Sequence, residues 1–107
     1  MDILIETHNL ESAGNIAEGI FNASGQESLM IQFSATQIPP EGIRCRVLQA
    51  IEDTPEAYDI ARYENDKPIT FLLKHEGPKN IPLVGVVAQF IKVQAEAQSG
   101  IITVKAV

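Results

Sequence analysis

The sequence predicts an all-β protein, an antiparallel β-sandwich or jelly roll of seven to eight strands in a single domain over residues 1–107. Apolar and polar side chains alternate with period two in one segment after another, which indicates half-buried strands. Clusters of Pro, Gly, Asn and Ser separate these segments at intervals of about 10 to 15 residues, and helical periodicity is scarce. Short strands at this spacing are typical of sandwiches and jelly rolls.

The first half of the chain contains four predicted strands. Two are expected near the start, one around Ile3 and Ile5 and one over 16–22. A third covers 28–36, and the Pro-Pro-Glu-Gly segment at 39–42 ends it, because proline removes a donor and glycine permits positive φ. The inward side chains of the third strand and of the fourth, which follows the turn, occupy every second position: Leu29, Ile31, Phe33, Ala35, Ile43, Cys45 and Val47.

The segment after the fourth strand leaves alternatives open. Alternation blurs at 48–51, which predicts either a β-bulge or burial on both faces of the strand. The tripeptide at 54–56 has the features of a helix start, with Thr as N-cap, Pro at the first helical position and Glu in the first turn. A short helix that begins at Pro55 and continues over 57–63 is therefore one interpretation. We favour a turn over 53–56 followed by a short strand over 58–62.

The second half predicts one more strand, a loop and a closing pair of strands. The strand covers 69–74, and the loop covers 76–82, where glycine and two prolines fall within seven residues. The last two strands meet at a Ser-Gly turn and are predicted to form a hairpin that completes the sandwich. The inward side chains of these three strands are expected to be Ile69, Phe71, Leu73, Ile91, Val93, Ala95, Ile102, Val104 and Ala106.

The charge distribution argues against a nucleic-acid partner. Fourteen acidic and eight basic residues give a net charge of −6, and the basic residues are dispersed. Phosphate backbones bind clustered positive charge, so we expect no contact with nucleic acid. The acidic residues concentrate at 52–66, and three of them, Asp53, Glu56 and Asp59, could be imagined as paired catalytic carboxylates or calcium ligands. We expect a solvated turn there, because the segment has no evident cleft and no EF-hand spacing.

Residue types that carry chemistry are few and scattered. His8 and His75 are the only imidazoles, and neither has a second metal ligand at a recognised spacing. Glu6 and His8 could share a strand face and ligate a metal, although a surface histidine is the favoured interpretation. We therefore expect no catalytic residues, no cofactor-binding residues and no metal ligands, and we predict that the protein is not an enzyme.

Cys45 is the only cysteine, so no internal disulfide is possible. Arg44 and Arg46 flank it and would lower its pKa if they lay beside the sulfur. Adjacent side chains in a strand point to opposite faces, however, so Cys45 is predicted to be buried and inert. No basic start precedes an apolar segment and no apolar run approaches about 18 residues. We expect a soluble protein made in a cytosol, without a membrane partner.

The order of three segments resembles that of small proteins encoded in the structural gene clusters of tailed bacteriophages. Those proteins share a strand of the form "aqFIrVra" followed by a Gly-turn hairpin, and an earlier strand that ends in a "Q-x-S-x-D-G-x-x-W" turn. Tyr58 stands in place of the Trp, and Phe90 begins the closing motif. The resembling segments are "GIFNASGQESLMIQFSAT", "IRCRVLQAIEDTPEAYDI" and "VAQFIKVQAEAQSGIITVKAV".

This resemblance implies a β-sandwich virion protein that is made in the host cytoplasm and assembles on a head, neck or tail. The expected roles are a head-decoration, fibre-base or tail-associated subunit, with itself and other virion proteins as partners and no cofactors. Alternation puts an aromatic side chain on the solvent face of a closing strand, where it could anchor an interface. The candidate interface residues are Phe90, Lys92, Gln94 and Glu96. Local twist that buries Phe90 in the core is the equal alternative.

Two other classes of function stay open from the sequence. The closing pattern also resembles the last strands of discoidin-type jelly rolls in carbohydrate-binding modules. Such a module needs exposed aromatic rings, for which Phe21, Tyr58, Tyr63 and Phe90 are the candidates. A metal-dependent hydrolase is the least favoured class, because no ligand cluster is visible.

Overall fold

The computed structural model describes residues 2–11, 14–23, 26–63, 65–84 and 88–106. This part of the chain contains nine strands and one 3₁₀ turn at Pro55–Ala57. The strands are β1 (Asp2–Asn9), β2 (Ile16–Asn22), β3 (Ser28–Thr36), β4 (Ile43–Ala50), β5 (Asp59–Ile60), β6 (Thr70–Leu73), β7 (Lys79–Val84), β8 (Phe90–Glu96) and β9 (Ile101–Ala106).

The strands form two antiparallel sheets that pack face to face. Sheet A has the order β1-β9-β3-β7, and sheet B has the order β2-β8-β4, with β5 and β6 both paired to the free side of β4. When β5 and β6 are counted as two pieces of one interrupted strand, each sheet has four strands. Successive strands then alternate between the sheets except at β4 and β5. This is the strand order of a jelly roll, and it confirms the predicted fold class.

The inner faces of both sheets build one hydrophobic core from aliphatic side chains and Phe33. The alternation predicted for β3, β4, β8 and β9 is confirmed, because every second residue is buried in β3, β8 and β9 and from Ile43 to Val47 in β4. The strand predicted around Ile3 and Ile5 is confirmed as β1, in which Ile5 is buried and Ile3 is exposed. Burial of apolar area, at about 25 cal/mol per Å², is the main force that holds the sheets together.

The predicted loop over 76–82 is wrong, because β7 occupies most of it. Ile81 and Leu83 point into the core, and Ile81 pairs with Ile31 of β3. The loop was predicted partly because of Pro82. A proline cannot donate to a central ladder, but β7 lies at the edge of sheet A, where one side of the strand has no neighbour and proline is tolerated.

The predicted closing hairpin is also wrong. β8 is a central strand of sheet B, whereas β9 is a central strand of sheet A, so the chain crosses from one sheet to the other between them. Gly100 adopts φ +116 at this crossing, and its carbonyl oxygen accepts a hydrogen bond of 2.9 Å from the amide of Leu10. Both strands bury alternate residues against the same core from opposite sides, which is why each looked like half of a hairpin.

The segment after β4 combines the two interpretations left open by the sequence. A single 3₁₀ turn at Pro55–Ala57 follows Thr54, and the short strand β5 comes directly afterwards. A longer helix over 57–63 is therefore wrong. The pairing of β4 with β8 runs without a shift to Ala50, so the predicted bulge is absent from β4. Burial on both faces is also wrong, because Gln49 is exposed and Ile51 is 79% exposed, while Ala50 on the outer side is buried.

One edge of the sandwich is closed by a close approach between β1 and β2. A Cβ atom placed on Gly19 would lie 2.0 Å from the carbonyl oxygen of Leu4 and 2.5 Å from its carbonyl carbon. Only glycine lets the two backbones cross at this distance.

Candidate interaction surface on the outer face of sheet B

The solvent-facing side of sheet B presents a regular array of side chains, which we call the outer face. The strand register aligns them in four rows that run across β2, β8 and β4, and the first three rows continue to β5 or β6. The first row is Ile16, Glu96, Arg44 and Leu72; the second is Glu18, Gln94, Arg46 and Thr70; the third is Ile20, Lys92, Leu48 and Ile60; the fourth is Asn22, Phe90 and Ala50.

All four candidate interface residues lie on this face, along its central strand β8. Phe90, Lys92, Gln94 and Glu96 are half-buried and alternate with inward side chains along β8. Because β8 has β2 on one side and β4 on the other, each of the four has a cross-strand neighbour on both sides. They contribute one residue to each of the four rows.

Phe90 lies on the outer face and is not among the apolar side chains that pack against the core. It pairs across the ladder with Ala50, which is only 5% exposed although it too lies outside the core cluster. The two residues therefore form a small apolar site on the outside of the sandwich, at the fourth-row end of the face.

Three large apolar side chains on this face were missed by the sequence analysis. Ile16 and Ile20 are each 47% exposed and Leu72 is 49% exposed. Each precedes an inward apolar or aromatic residue, as in Ile20-Phe21, so the signal was an adjacent apolar pair. Such a pair in a strand indicates apolar character on both faces, because neighbouring side chains point in opposite directions.

Charges of both signs lie between these apolar residues. Glu18 accepts a hydrogen bond of 2.8 Å from the side-chain amide of Gln94. In the first row, Glu96 of β8 pairs with Arg44 of β4. A groove of about 430 Å³ opens beside this row and is lined in part by Glu41, Arg44 and Leu72.

The outer side of sheet A is more polar at its centre than the outer face of sheet B. Thr103 of β9 pairs with Ser34 of β3, and Lys105 pairs with Gln32. The Gln32 amide in turn donates a 3.1 Å hydrogen bond to Asn80. Sheet A also exposes Ile3, Met30 and Val84, but these lie outside the paired positions of its central strands β3 and β9. The central strands of sheet B instead carry the apolar side chains of Phe90 and Leu48 on their outer side.

The 3₁₀ turn packs a tyrosine against the third row. The Tyr58 hydroxyl donates a 2.9 Å hydrogen bond to a carboxylate oxygen of Asp53. The ammonium of Lys92 lies 4.1 Å from the centroid of the Tyr58 ring, within cation–π range. Burial, the hydrogen bond and the negative charge of Asp53 raise the pKa of Tyr58 from 10.0 to about 12.

Removing the carboxylate should lower the pKa of Tyr58. In a Tyr63→Phe background, Tyr58 is the only tyrosine, and ultraviolet titration of its phenolate absorbance should give a midpoint near pH 12. We expect Asp53→Asn to move that midpoint toward 10, while Glu56→Gln, a charge removal in the same turn, changes it less. An unshifted midpoint in Asp53→Asn would contradict the assigned cause. Because folding raises this pKa, the associated stability is complete below pH 10 and is lost as pH rises toward 12.

Cys45 is buried on the inner side of β4, and the exposed Arg44 and Arg46 point away from it, as predicted. Its thiol donates a 3.6 Å hydrogen bond to the carbonyl oxygen of Ile43. Burial raises the pKa of the Cys45 thiol from 9.0 to about 12. The thiolate needed for nucleophilic attack is therefore almost absent at neutral pH.

The native protein should consequently resist thiol reagents. We expect no labelling of Cys45 by a disulfide reagent at pH 8 over the time in which guanidinium-unfolded protein reacts completely. The matched control is Arg44→Cys in a Cys45→Ala background, which places a thiol one residue away on the exposed face and should react at once. Rapid labelling of native Cys45 would show that the core opens without global unfolding.

The other residues considered as metal ligands or catalytic carboxylates do not come together in one site. The register of β1 shifts between Ile5 and His8, which breaks the alternation that would have placed Glu6 and His8 side by side. Asp53 and Glu56 are exposed in and beside the 3₁₀ turn, and Asp59 is exposed at the start of β5. Among the described residues, no group of three or more His, Cys, Asp or Glu side chains could hold a metal ion. The same part of the chain has no helix long and apolar enough to cross a membrane.

Fold and surface together define a jelly-roll β-sandwich with a mixed apolar and charged outer face. Comparison of the chain with family models, curated proteins and solved structures finds no significant match.

Proposed function

We propose that this chain is a structural protein of a tailed-bacteriophage virion, a head-decoration, fibre-base or tail-associated subunit. It is made in the host cytoplasm and acts through contacts with copies of itself and with capsid or tail proteins. Catalysis, cofactors, nucleic acid and membranes have no part in the proposal. The order of the three resembling segments supports the virion assignment, and so does the fold, since jelly rolls recur in viral capsid domains.

The observation that carries the proposal is the apolar content of the outer face of sheet B. Three side chains there are close to half exposed: Ile16, Ile20 and Leu72. Phe90 and Leu48, both half-buried, complete the apolar surface between them. Exposed apolar residues that lie together on one sheet, interleaved with charges, are typical of protein–protein contact sites.

A binding experiment with matched variants tests the proposal. The chain should sediment with phage heads or tails assembled without it, and Leu72→Asp should weaken that binding because it puts a charge into an apolar contact. Val84→Asp is the control, since Val84 is equally exposed (51% against 49%) but lies on sheet A. Failure of the wild-type chain to join any head or tail preparation would overturn the proposal.

The carbohydrate-binding alternative shares the fold but has weaker support from the surface. Phe21 and Tyr63 pack against the core, and Lys92 covers the ring of Tyr58. A sugar platform needs an open aromatic face, and of the four candidates Phe90 fits this need best, since it lies on the outer face. A glycan array with Tyr58→Ala and Tyr63→Ala as controls would reveal this activity if it exists.

A further inference from the structure

The first row of the outer face is complementary to its own reverse, with apolar residues at both ends and an acid exchanged for a base between them. It runs apolar, acid, base, apolar from β2 to β6, as Ile16, Glu96, Arg44 and Leu72. Reversing the row exchanges Ile16 with Leu72 and Glu96 with Arg44. A surface of this kind is complementary to a second copy of itself under a two-fold rotation.

The register fixes where that rotation axis must lie. An axis parallel to the strands, passing between β8 and β4, turns a second copy face to face and sets each row opposite the same row reversed. Glu96 then meets Arg44 of the second copy, and by symmetry Arg44 meets the second copy's Glu96. Ile16 and Leu72 meet on either side of this double ion pair.

The other rows agree with the same axis. In the third row Ile20 faces Ile60, and Lys92 lays its aliphatic stem on Leu48 of the second copy. In the fourth row Phe90 faces Ala50. In the second row, Glu18 faces Thr70 and Gln94 faces Arg46. No row sets two like charges directly opposite each other.

A two-fold axis perpendicular to the strands fits less well. It would set the first row opposite the fourth, so that Glu96 would face Phe90 of the second copy and lose its hydration without gaining a cation. Burying an unpaired charge is costly, which favours the axis parallel to the strands.

We propose that the chain forms a two-fold symmetric dimer through the outer face of sheet B, with reciprocal Glu96–Arg44 ion pairs beside the axis at the first-row end of the face. The inference rests on the part of the proposed function that invokes contacts between copies. The twist of each sheet makes the strands of the two copies cross at about 30°, so rows near the crossing point match best. Away from the crossing point the strands of the two copies separate, and the long side chains of Glu96 and Arg44 can span that gap.

The size of the face sets the expected affinity. Four strands about 4.8 Å apart and seven residues rising about 3.3 Å each give a flat footprint of roughly 450 Å², which side-chain relief enlarges. Stable complexes bury about 800 Å² on each partner, so this dimer belongs at the weak end of specific interfaces. We expect half-association at micromolar concentrations, within reach of sedimentation equilibrium.

Charge reversal gives a decisive test. Arg44→Glu sets two carboxylates opposite each other across the interface, and Glu96→Arg sets two guanidinium groups opposite each other. Each variant alone should therefore lose about 100-fold in self-association. An equimolar mixture of the two variants pairs opposite charges at both contacts of each mixed dimer, because residues 44 and 96 are both acidic in one chain and both basic in the other. The mixture should therefore restore dimers. The double variant Arg44→Glu/Glu96→Arg pairs opposite charges at both contacts and should dimerise with itself. Lys105→Glu, a charge reversal on sheet A, should change nothing.

The double variant also separates contacts between chains from contacts within one chain. Arg44 and Glu96 are cross-strand neighbours in the same chain, so each single variant creates a like-charge pair there too, and circular dichroism will report any loss of stability. Mixing cannot relieve a repulsion inside a chain, so any recovery in the mixture comes from the interface. A wild-type chain that stays monomeric at millimolar concentration, or a folded double variant that does not dimerise, overturns the inference.

Failure of the dimer and failure of the virion proposal give different results. If Arg44→Glu is monomeric yet still joins heads or tails, the dimer forms as inferred but is not needed for attachment. If the wild-type chain is a monomer that joins particles through this face, the inference fails and the proposed function stands. If it dimerises as described and joins no particle, the proposed function fails and the inference stands.

Discussion

Replacing Gly19 by alanine should lower the melting temperature by more than about 10 °C, or prevent folding altogether. The added Cβ would lie 2.0 Å from the carbonyl oxygen of Leu4, so β1 and β2 would have to separate. Overpacking a core costs about 1–3 kcal/mol, and the cost should reach or exceed the top of that range because backbone cannot rotate away as a side chain can. At about 4 °C per kcal/mol for a domain of this size, thermal unfolding followed by circular dichroism measures the loss.

Two variants isolate the backbone contact as the cause. Leu4→Ala in combination with Gly19→Ala removes only side-chain atoms of residue 4, so it should not rescue stability. Gly14→Asn is the matched glycine control, since a Cβ there has no atom within 4 Å and asparagine tolerates its φ of +77. We expect it to cost less than about 1 kcal/mol. Near-normal melting of Gly19→Ala would mean that β1 and β2 can part freely at this edge.

The sequence predicted which way strand side chains face but not which strands are neighbours. Period-two alternation depends on one chain segment and on its burial, and it correctly assigned the inward residues of β8 and β9. Pairing depends on distant segments. Ile91 and Ile102 would alternate in the same way in a hairpin or in two facing sheets, so alternation could not show that the chain crosses between sheets at Gly100.

Edge positions account for the other failure of the fold prediction. Pro82 looked like a loop residue because proline is excluded from central strands, yet Ile81 and Leu83 on either side of it have the alternation of a strand. Composition alone does not reveal that a strand lies at an edge. The proline also limits further pairing at that edge, because it offers no donor there.

The sequence predicted the candidate surface only in part, because it carries the phase of each strand but not the register between strands. The phase of Phe90 relative to Ile91 placed it outside the core, and it lies there. The rows could not be predicted, since they depend on the register of β8 against both β2 and β4. Arg44 and Glu96 are 52 residues apart in the chain, so a single sequence gives no signal that they are neighbours in the sheet.

Phe33→Ala should cost about 3–5 kcal/mol in the free energy of unfolding, the range for deleting a buried aromatic side chain. Phe33 of β3 is fully buried, and its ring meets that of Phe71 edge to face, with centroids 5.1 Å apart and planes at 87°. This contact joins sheet A to sheet B, because Phe71 belongs to β6. The ammonium of Lys79 lies 5.4 Å from the centroid of the Phe71 ring, so loss of Phe33 also loosens β7. Chemical denaturation measures the change in unfolding free energy, provided that the free energies of wild type and variant depend equally on denaturant concentration.

Leucine variants separate the ring contact from simple volume. Phe33→Leu keeps most of the buried area and should cost clearly less than Phe33→Ala, because the cavity it leaves is smaller. A double-mutant cycle of Phe33→Leu with Phe71→Leu should then give a coupling energy of about 0.5–1.5 kcal/mol, which is the value of an aromatic pair beyond its buried area. A coupling near zero would assign the cost of Phe33→Ala to cavity formation alone. In that case the two sheets would be joined by aliphatic packing, and the edge-to-face pair would set only the angle at which β6 lies on the core.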